Sequence, residues 1–533
     1  MVQNSKMTRR DFFKKTAVAG GGVALAGTMG AFAPTPAEAA KIPKKWDMEA
    51  DVIVVGSGPT GLPAAVAAVE KGASVIVLEQ MKEVGGAGVI AGGILSMGGG
   101  TRVQKLIGTE DSPDLMFKRL LDYADKDNKR NDPAILRIFC DYNPGTLDWL
   151  EARGVRFGNE ILGGGAMDAL HQSRPYHLVL WDKEGPGRLS RYANVTTSGA
   201  GLIKPLEAHA RAKGVKILLE HKMTRIIRKE GTSGRVLGVE VQAGNKKLFF
   251  RAKKGVILGT GSWKGNKFLR KLFDSRITED IGITGAPFTN PDGSGIVAGL
   301  EIGAVLCSDR ANDSALFRRM FGTKHYNFPL NSPYGAPGLA IAGSRWGDVI
   351  FVNKQGKRFF KEQDVPSYGN YSAFDVFFTQ EGHVLWTIFD DKAAKKNKWN
   401  VGAPDTEKDC AFSAPTLAEL AKLIQVPADA LADTVQKYNS YVDAGKDPDF
   451  DKPKTLLKSK IETGPFSAAW VSIYAHDTCG GLAINAKSQI LDIYGKVIPG
   501  LYGGGEAVGG LEFPGMNRGI ILGRIAGENA AAG

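Results

Sequence analysis

The 533-residue sequence holds four cysteines, and none falls in a C-x-x-C or C-x-x-C-H pattern. Cysteine-ligated clusters and covalently attached haem are therefore not encoded in this chain, and no metal site is expected. Spacing alone pairs none of Cys140, Cys307, Cys410 and Cys479, so they are read as free, buried thiols. Histidine is also scarce, at seven residues, and one of these, His476, stands just before a glycine pair in YAHDTCGG (474–481). No basic helix and no aromatic-interleaved basic patch stands out, which removes nucleic acid from the expected partners. Beyond the N-terminal region no apolar run is long enough to span a bilayer, and no repeat or low-complexity segment appears.

What is present is ordinary globular composition, 43% apolar and 23% charged, over a length that suits two or three domains. Glycine is plentiful, 68 residues, and much of it is clustered, as turns and close backbone approach to a ligand require. The first forty residues read as a targeting segment. Arg9 and Arg10 precede Phe12, Phe13 and Lys14; a Gly/Ala-rich apolar stretch runs to Ala33; and Ala37-Glu38-Ala39 is a small-x-small cleavage site. A membrane anchor is the alternative, but the apolar run is short and rich in glycine. The pattern is similar to a twin-arginine export signal, a route for folded proteins, so residues 1–39 are expected to be removed and the mature chain to be periplasmic or otherwise exported. Their loss takes the formal charge from +12 to +9. The remaining basic surface can steer anionic substrates or an acidic protein partner.

Residues 51–80, DVIVVGSGPTGLPAAVAAVEKGASVIVLEQ, read as strand, glycine turn, helix and strand. Gly56, Gly58 and Gly61 form G-x-G-x-x-G, whose backbone can approach a diphosphate at the helix N-terminus. Glu79, about twenty residues on, closes the second strand, where a carboxylate can accept hydrogen bonds from a ribose. A second glycine cluster, VGGAGVIAGGILSMGGG (84–100), follows directly and contains Gly85, Gly86, Gly92 and Gly93. Nicotinamide-binding domains normally pass straight to another helix; a second glycine-rich stretch suits a flat ring system and its ribityl chain. GVILGTGSW (255–263) ends a buried strand at Gly259 and Gly261, and VIPGLYGGGEAVGG (497–510) presents Glu506, a carboxylate able to hold ribityl hydroxyls.

In this order the motifs resemble the flavoprotein subunits of the fumarate reductase and succinate dehydrogenase family, in the broad sense that includes ketosteroid dehydrogenases and related periplasmic reductases. The resemblance covers roughly 48–531. It is also carried by SGAGLIKPLE (198–207), GRVLGVEV (234–241), NPDGSGIVAGLEIGA (290–304, with Asp292), VNKQGKRFFKE (352–362) and HDTCGG (476–481). It implies an α/β fold, a Rossmann-like FAD-binding domain built from both chain ends with an inserted α+β cap. The corresponding boundaries are 48–305 and 477–533 for the FAD domain and 306–476 for the cap. FAD is expected to be non-covalent, because covalent attachment in the respiratory enzymes uses a histidine that 84–100 lacks.

The resemblance also implies hydride transfer between flavin and an activated C=C bond. His476 falls where the family places a carboxylate-binding histidine, and Arg518, in FPGMNRGIILGRIAG, matches a clamp arginine; the alternatives are a structural histidine and an arginine facing phosphate or solvent. Two family features are missing. AVLCSDRAND (304–313) replaces a histidine motif, and QDVPSYGNYSAFD follows GKRFFKE without the proton-donating arginine. Tyr368 and Tyr371 are the candidate acid/base there, with aromatic packing as the alternative. Arg310, Arg318, Arg319 and His325 can supply a carboxylate clamp. The run 413–445 reads as two amphipathic helices broken at Val426-Pro427. With no haem, cluster or second dinucleotide motif, electrons are expected from a separate partner, a c-type cytochrome or a quinol-linked complex. The readings carried forward are an enoate or enone reductase, a ketosteroid-type dehydrogenase running the reverse chemistry, and a non-catalytic flavin electron carrier.

Overall fold

Val52–Val55 and Val75–Leu78 are unbroken aliphatic runs, the pattern of parallel strands covered on both faces. The computed structural model describes residues 42–126, 131–162, 175–181, 189–192, 195–273, 282–283, 289–307, 317–322, 346–362, 379–383, 385–397, 411–511 and 515–533, with a few single positions besides. Residues 1–41, where the export signal is expected, lie outside them. In chain order the strands used below are β1 (Met48–Val55), β2 (Val75–Leu78), β3 (Lys216–Leu218), β4 (His221–Arg228), β5 (Val236–Ala243), β6 (Lys246–Leu258), β7 (Gly282–Ile283), β8 (Phe317–Gly322), β9 (Ile350–Asn353), β10 (Leu385–Phe389), β11 (Ala411–Ala414), β12 (Phe466–Thr478), β13 (Gln489–Leu491) and β14 (Val497–Gly503). The helices are α1 (Gly61–Glu70), α2 (Pro133–Glu151), α3 (Ala200–Ala212), α4 (Lys267–Phe273), α5 (Ser294–Glu301), α6 (Leu417–Ile424), α7 (Ala428–Ala444) and α8 (Met516–Ala532).

The larger sheet runs β13-β14-β6-β1-β2-β3, with β5 paired to β6 and β4 to β5. Its centre is parallel: β1 pairs with β6 on one side and β2 on the other, and β6 pairs with β14. Alternate residues enter opposite cores. Ile53, Val55, Ile76, Leu78, Val256 and Leu258 pack on one face; Val52, Val54, Val75, Val77 and Ile257 pack on the other. The C-terminal residues enter this sheet beside the N-terminal ones, through β14 and through α8, which lies on α1. That contact is backbone-close: a Cβ on Gly527 would stand 2.2 Å from the Ala64 carbonyl oxygen, and one on Gly523 2.3 Å from that of Thr60. The four-residue glycine spacing in GIILGRIAG is thus the contact stripe of a helix pair.

The second sheet runs β7-β12-β10-β9, with β8 and β11 both on β12. α6 and α7 pack on it, separated at the expected break. Thr416 and Glu419 form a capping box, Gln425 ends α6 in the left-handed region, and Pro427 opens α7. Beneath them lies a buried charge cluster. Arg358 donates Nε to Glu362 at 3.0 Å and Nη2 to Glu362 and Asp447 at 2.5 and 2.7 Å. Lys452 Nζ donates to the Val349 carbonyl at 3.0 Å and stands 3.8 Å from Glu362. Glu362 is fully buried and Lys452 nearly so. Burial lowers the Lys452 pKa from the ordinary lysine value to about 8, with Glu362 opposing and Arg358 adding to the shift.

Two outcomes are expected. Removing one member of a buried ion group strands the others, so Glu362→Ala should cost about 3–5 kcal/mol in urea unfolding. Lys452 has a folded pKa below its unfolded one, so the unfolded chain binds more protons between pH 8 and about 10.4, and the lysine's contribution to stability rises across that window. Lys452→Met should abolish that part of the rise, read as the difference between the two proteins' stability-versus-pH curves.

Candidate active site

Three strands from distant parts of the chain end side by side: Val55 stands opposite Leu258, and Leu258 opposite Gly503. A glycine turn follows each, Gly56–Gly61, Gly259–Trp263 and Gly504–Glu506. The crevice outside the carboxyl ends of parallel strands, where connections depart to both sides, is where open α/β sheets bind ligands.

The first turn is fixed by steric limits. Gly56 has φ +95° and a Cβ there would lie 2.3 Å from the Gly259 oxygen; one on Gly61 would lie 1.8 Å from the Gly56 oxygen. Gly58 differs: a Cβ on it would meet only the Gly85 oxygen, at 3.7 Å, so its face is open. α1 begins here with no side-chain cap; the Leu62 N–H donates to the Gly58 carbonyl at 3.1 Å, and Pro63 has no N–H, which leaves Gly61 N–H as the first-turn donor nearest the crevice. Glu79 is buried at the end of β2. Its Oε2 accepts from Ser57 N and Oγ at 3.0 and 2.5 Å, and its Oε1 from Met81 N at 2.9 Å. A carboxylate offers about four acceptor positions, so capacity remains for a ribose hydroxyl. Ser57 Oγ also accepts from Gly85 N at 3.2 Å, tying the first glycine segment to the second.

In that second segment Gly86 has φ +49° and its Cβ position is nearly clear. Gly85 and Gly93 serve packing: Cβ atoms there would meet Val89 at 2.7 Å and Ser198 N at 2.5 Å. Gly92 is half-buried between the bend at Ala91 and Gly93. Gly261, φ +74°, has nothing within 4 Å of its Cβ position, and the Thr260 hydroxyl beside it is buried without a hydrogen-bond partner. Asp292 has internal partners. Its Oδ1 accepts from Ser294 N at the start of α5, and its Oδ2 pairs with Lys222 at 2.8 Å. Burial raises its pKa, but Lys222 and Ser294 outweigh that and hold the carboxyl below its ordinary value.

Thr478, at the end of β12, joins the other pieces. Its N–H donates to Glu506 Oε1 at 2.7 Å, and its hydroxyl lies 3.1 Å from Ser262 Oγ. Its carbonyl accepts from Arg518 Nη2 at 2.6 Å. Trp263 Nε1 donates to the carbonyl of Gly480, two residues on, at 2.9 Å. HDTCGG is thereby bolted to the turns after β6 and β14 and to α8. Arg518 is 2% exposed; Nη1 donates to the Leu511 carbonyl at 3.0 Å, and Nε is buried without a partner. Among the described residues no carboxylate pairs with this guanidinium.

His476 precedes Thr478 by two residues. Arg318 stands opposite Asp477 and Arg319 opposite Ala475, so His476 is the extra residue of a β-bulge between β12 and β8. Bulges are frequent next to active sites because they re-aim the strand. Two of the candidate clamp arginines are thus on the strand that flanks His476. Tyr368, Tyr371, Arg310, His325 and Cys410 lie outside the described residues. Sequence reasoning passed over Ser57, Ser262 and Thr478 as individual residues; each lies inside a motif it had marked.

The open faces of Gly58 and Gly261 and the two carboxylates, Glu79 and Glu506, fit a flavin dinucleotide. Gly58→Val should therefore leave thermal stability of the flavin-free protein nearly unchanged while weakening FAD retention by more than about tenfold, or about 1.4 kcal/mol. Gly61→Val should lower both, because its Cβ meets backbone. Flavin-to-protein absorbance after dialysis, beside melting curves, separates the two.

A model of the FAD binding domain family matches residues 51–520. The cytochrome-type fumarate reductase of Shewanella frigidimarina is 30% identical over 494 residues, which cover 90% of this chain and 77% of that protein. The acrylate reductase flavoprotein subunit of Shewanella woodyi is 28% identical over 537 residues, 96% of this chain and 94% of that one. The open conformation of a flavocytochrome c3 fumarate reductase superposes with a TM-score of 0.73 at 24% identity, covering 100% of this chain and 82% of that one, a likeness of fold. With the family match spanning most of its length and both chain ends meeting at one dinucleotide crevice, this chain belongs to the FAD binding domain family and is an FAD-dependent oxidoreductase.

Proposed function

We propose that the protein is an exported flavoenzyme, holding FAD non-covalently, that reduces a C=C bond conjugated to a carboxylate or ketone. The carrying observation is Arg518: a buried guanidinium with two carbonyl partners, a buried Nε that has no partner, and no counter-ion among the described residues. A buried charge is costly unless paired, and the pair it lacks is an anion. That cation is hydrogen-bonded to Thr478, which also holds Glu506 on the flavin side. Similarity to a fumarate reductase and an acrylate reductase, both enzymes of unsaturated acids, supports the same reading.

Reduced FAD, when bound, supplies the hydride. The chain's own residues have two tasks. Arg518, with His476 at the bulge of β12, holds the activating oxygen, so that charge developing on it in the transition state meets preorganised donors. A proton must then reach the other alkene carbon. We assign that to Tyr368 or Tyr371, which stand where the family's proton-donating arginine is missing. Those tyrosines also favour a second reading, the reverse formation of a C=C bond beside a ketone. Residues 48–305 and 477–533 would hold the flavin and 306–476 cover the substrate, and electrons would come from a separate cytochrome or quinol-linked partner.

The test is anaerobic. The flavin is reduced with dithionite and methyl viologen, and fumarate, urocanate, cinnamate, methacrylate and a 4-en-3-one steroid are added separately. Rapid reoxidation by an unsaturated acid is the expected result. Arg518→Gln should retain FAD and lose about 10²–10³-fold in rate, the usual cost of one oxyanion-stabilising donor. Reoxidation by none of the five would overturn the reductase reading.

A further inference from the structure

Two buried asparagines on different helices, Asn143 of α2 and Asn517 of α8, hold one short segment. Residues 94–96 pair antiparallel with 176–178, and the chain then runs through Met97, Gly98, Gly99 and Gly100 to Thr101. Every N–H from 97 to 101 has a partner. Met97 N donates to the Pro175 carbonyl at 3.1 Å, Gly98 N to Asn143 Oδ1 at 2.9 Å and Gly99 N to Asp111 Oδ2 at 2.7 Å. Gly100 N and Thr101 N both donate to Gln104 Oε1 at 2.9 Å. Gln104 Nε2 donates to Asp111 at 2.9 Å, and the Thr101 hydroxyl lies 2.9 Å from His177 Nε2. Asn143, Gln104, Thr101 and His177 are all buried, so residues 96–101 form a strap held by an interior polar network. The Ser96 carbonyl accepts from Asn517 Nδ2. A carbonyl only accepts and an N–H only donates, which fixes both amides: Asn143 presents its oxygen to the strap and Asn517 its nitrogen. The other half of each, Asn143 Nδ2 and Asn517 Oδ1, is buried without a partner. An apolar side chain of similar size would avoid that cost, so what the asparagines hold explains them better than stability does.

We propose that Asn517 is a positioning residue for Arg518, tying the first turn of α8 to the strap so that the guanidinium keeps one place in the site. This rests on the reading that Arg518 holds the activating oxygen. Asn517 and Arg518 are the second and third residues of α8, whose start at Gly515 has no side-chain cap. Helix ends fray unless something ties them. The two hydrogen bonds of Arg518 itself go to the Leu511 and Thr478 carbonyls. Asn517 adds a tie to a different part of the chain, the end of the second glycine segment, and Asn143 anchors that part to α2. A donor that stabilises developing charge is effective only where it is preorganised, and a small displacement costs rate steeply.

Asn517→Leu removes the tie, and Asn143→Leu loosens the strap from α2 without touching α8. The FAD-loaded proteins are compared with wild type in the anaerobic assay, with the same five alkenes. Asn517→Leu is expected to keep its FAD through dialysis and to lose about tenfold to a hundredfold in kcat with KM little changed. In an Arg518→Gln background the same change should cost less than about twofold, because the residue it acts through is gone. An equal cost in both backgrounds, or no cost in the single variant, overturns the proposal. If Asn517→Leu does not fold, Asn143→Leu carries the same cycle. Amide hydrogen exchange of the holoenzyme gives a readout that needs no substrate. Each asparagine variant should speed exchange at 516–519 as well as at 96–98; exchange unchanged at 516–519 in both overturns the tie. A wild type that reduces none of the five alkenes overturns the reductase reading instead, and exchange then decides the tie by itself.

Discussion

The fold depends on one steric constraint, that three backbones meet at the end of β1 more closely than side chains permit. Gly56 lies against Gly259, Gly61 against Gly56, and Gly523 of α8 against Thr60. Each contact would be blocked by a single methyl group. The first pair sets how near β6 ends to β1. The second lets α1 start immediately after the turn. The third brings the last helix of the chain onto the first. A dinucleotide bound at this junction would meet the same geometry that allows the close packing, and the glycines cannot be exchanged for residues of better helix or strand propensity.

From that junction the influence of packing passes to the chemistry through Thr478. Its three backbone and side-chain polar groups bond to Ser262, Glu506 and Arg518, which arrive from β6, β14 and α8. The segment that bears His476 is therefore referenced to the flavin-binding turns, and a shift of one of them is felt at the others. Buried networks of this kind hold geometry well when satisfied, and leave a costly remainder when not. The remainder here is the Nε of Arg518.

Much of this was legible from the chain alone, and the reasons are local. The strand–turn–helix–strand of 51–80 is contiguous, its hydrophobic runs match a doubly covered sheet, and its glycines stand at fixed spacing. The break between α6 and α7 could be placed because Pro427 acts on the residues next to it. The Thr478–Ser262 contact joins residues 216 positions apart and had no such signal. Asp292 and Gly93 show the converse difficulty. Both sit in cofactor-like motifs, yet Asp292 is engaged by Lys222 and Ser294 and Gly93 closes on Ser198, because a motif marks a place without saying which of its residues faces the ligand. The Arg358–Glu362–Lys452 cluster was invisible for a similar reason. GKRFFKE and Lys452 are ninety residues apart, and charged residues are by default surface residues.

Two of the buried cation sites differ in a way that bears on function. Arg358 has Glu362 and Asp447 against it, and Lys452 has Glu362 and a carbonyl; burial is offset inside the fold, and the cluster braces the second sheet. Arg518 is also deeply buried but among the described residues has only carbonyls, whose partial charges offset a full positive charge incompletely. An arginine can bear this better than a lysine, because its charge is delocalised and weakly hydrated. The balance then changes when an anionic or strongly polarised oxygen arrives, since the desolvation of the guanidinium has already been met in folding. Such an arrangement favours a charge that develops next to it over one that must be stripped of water first, which is the preference a reductase of conjugated acids requires.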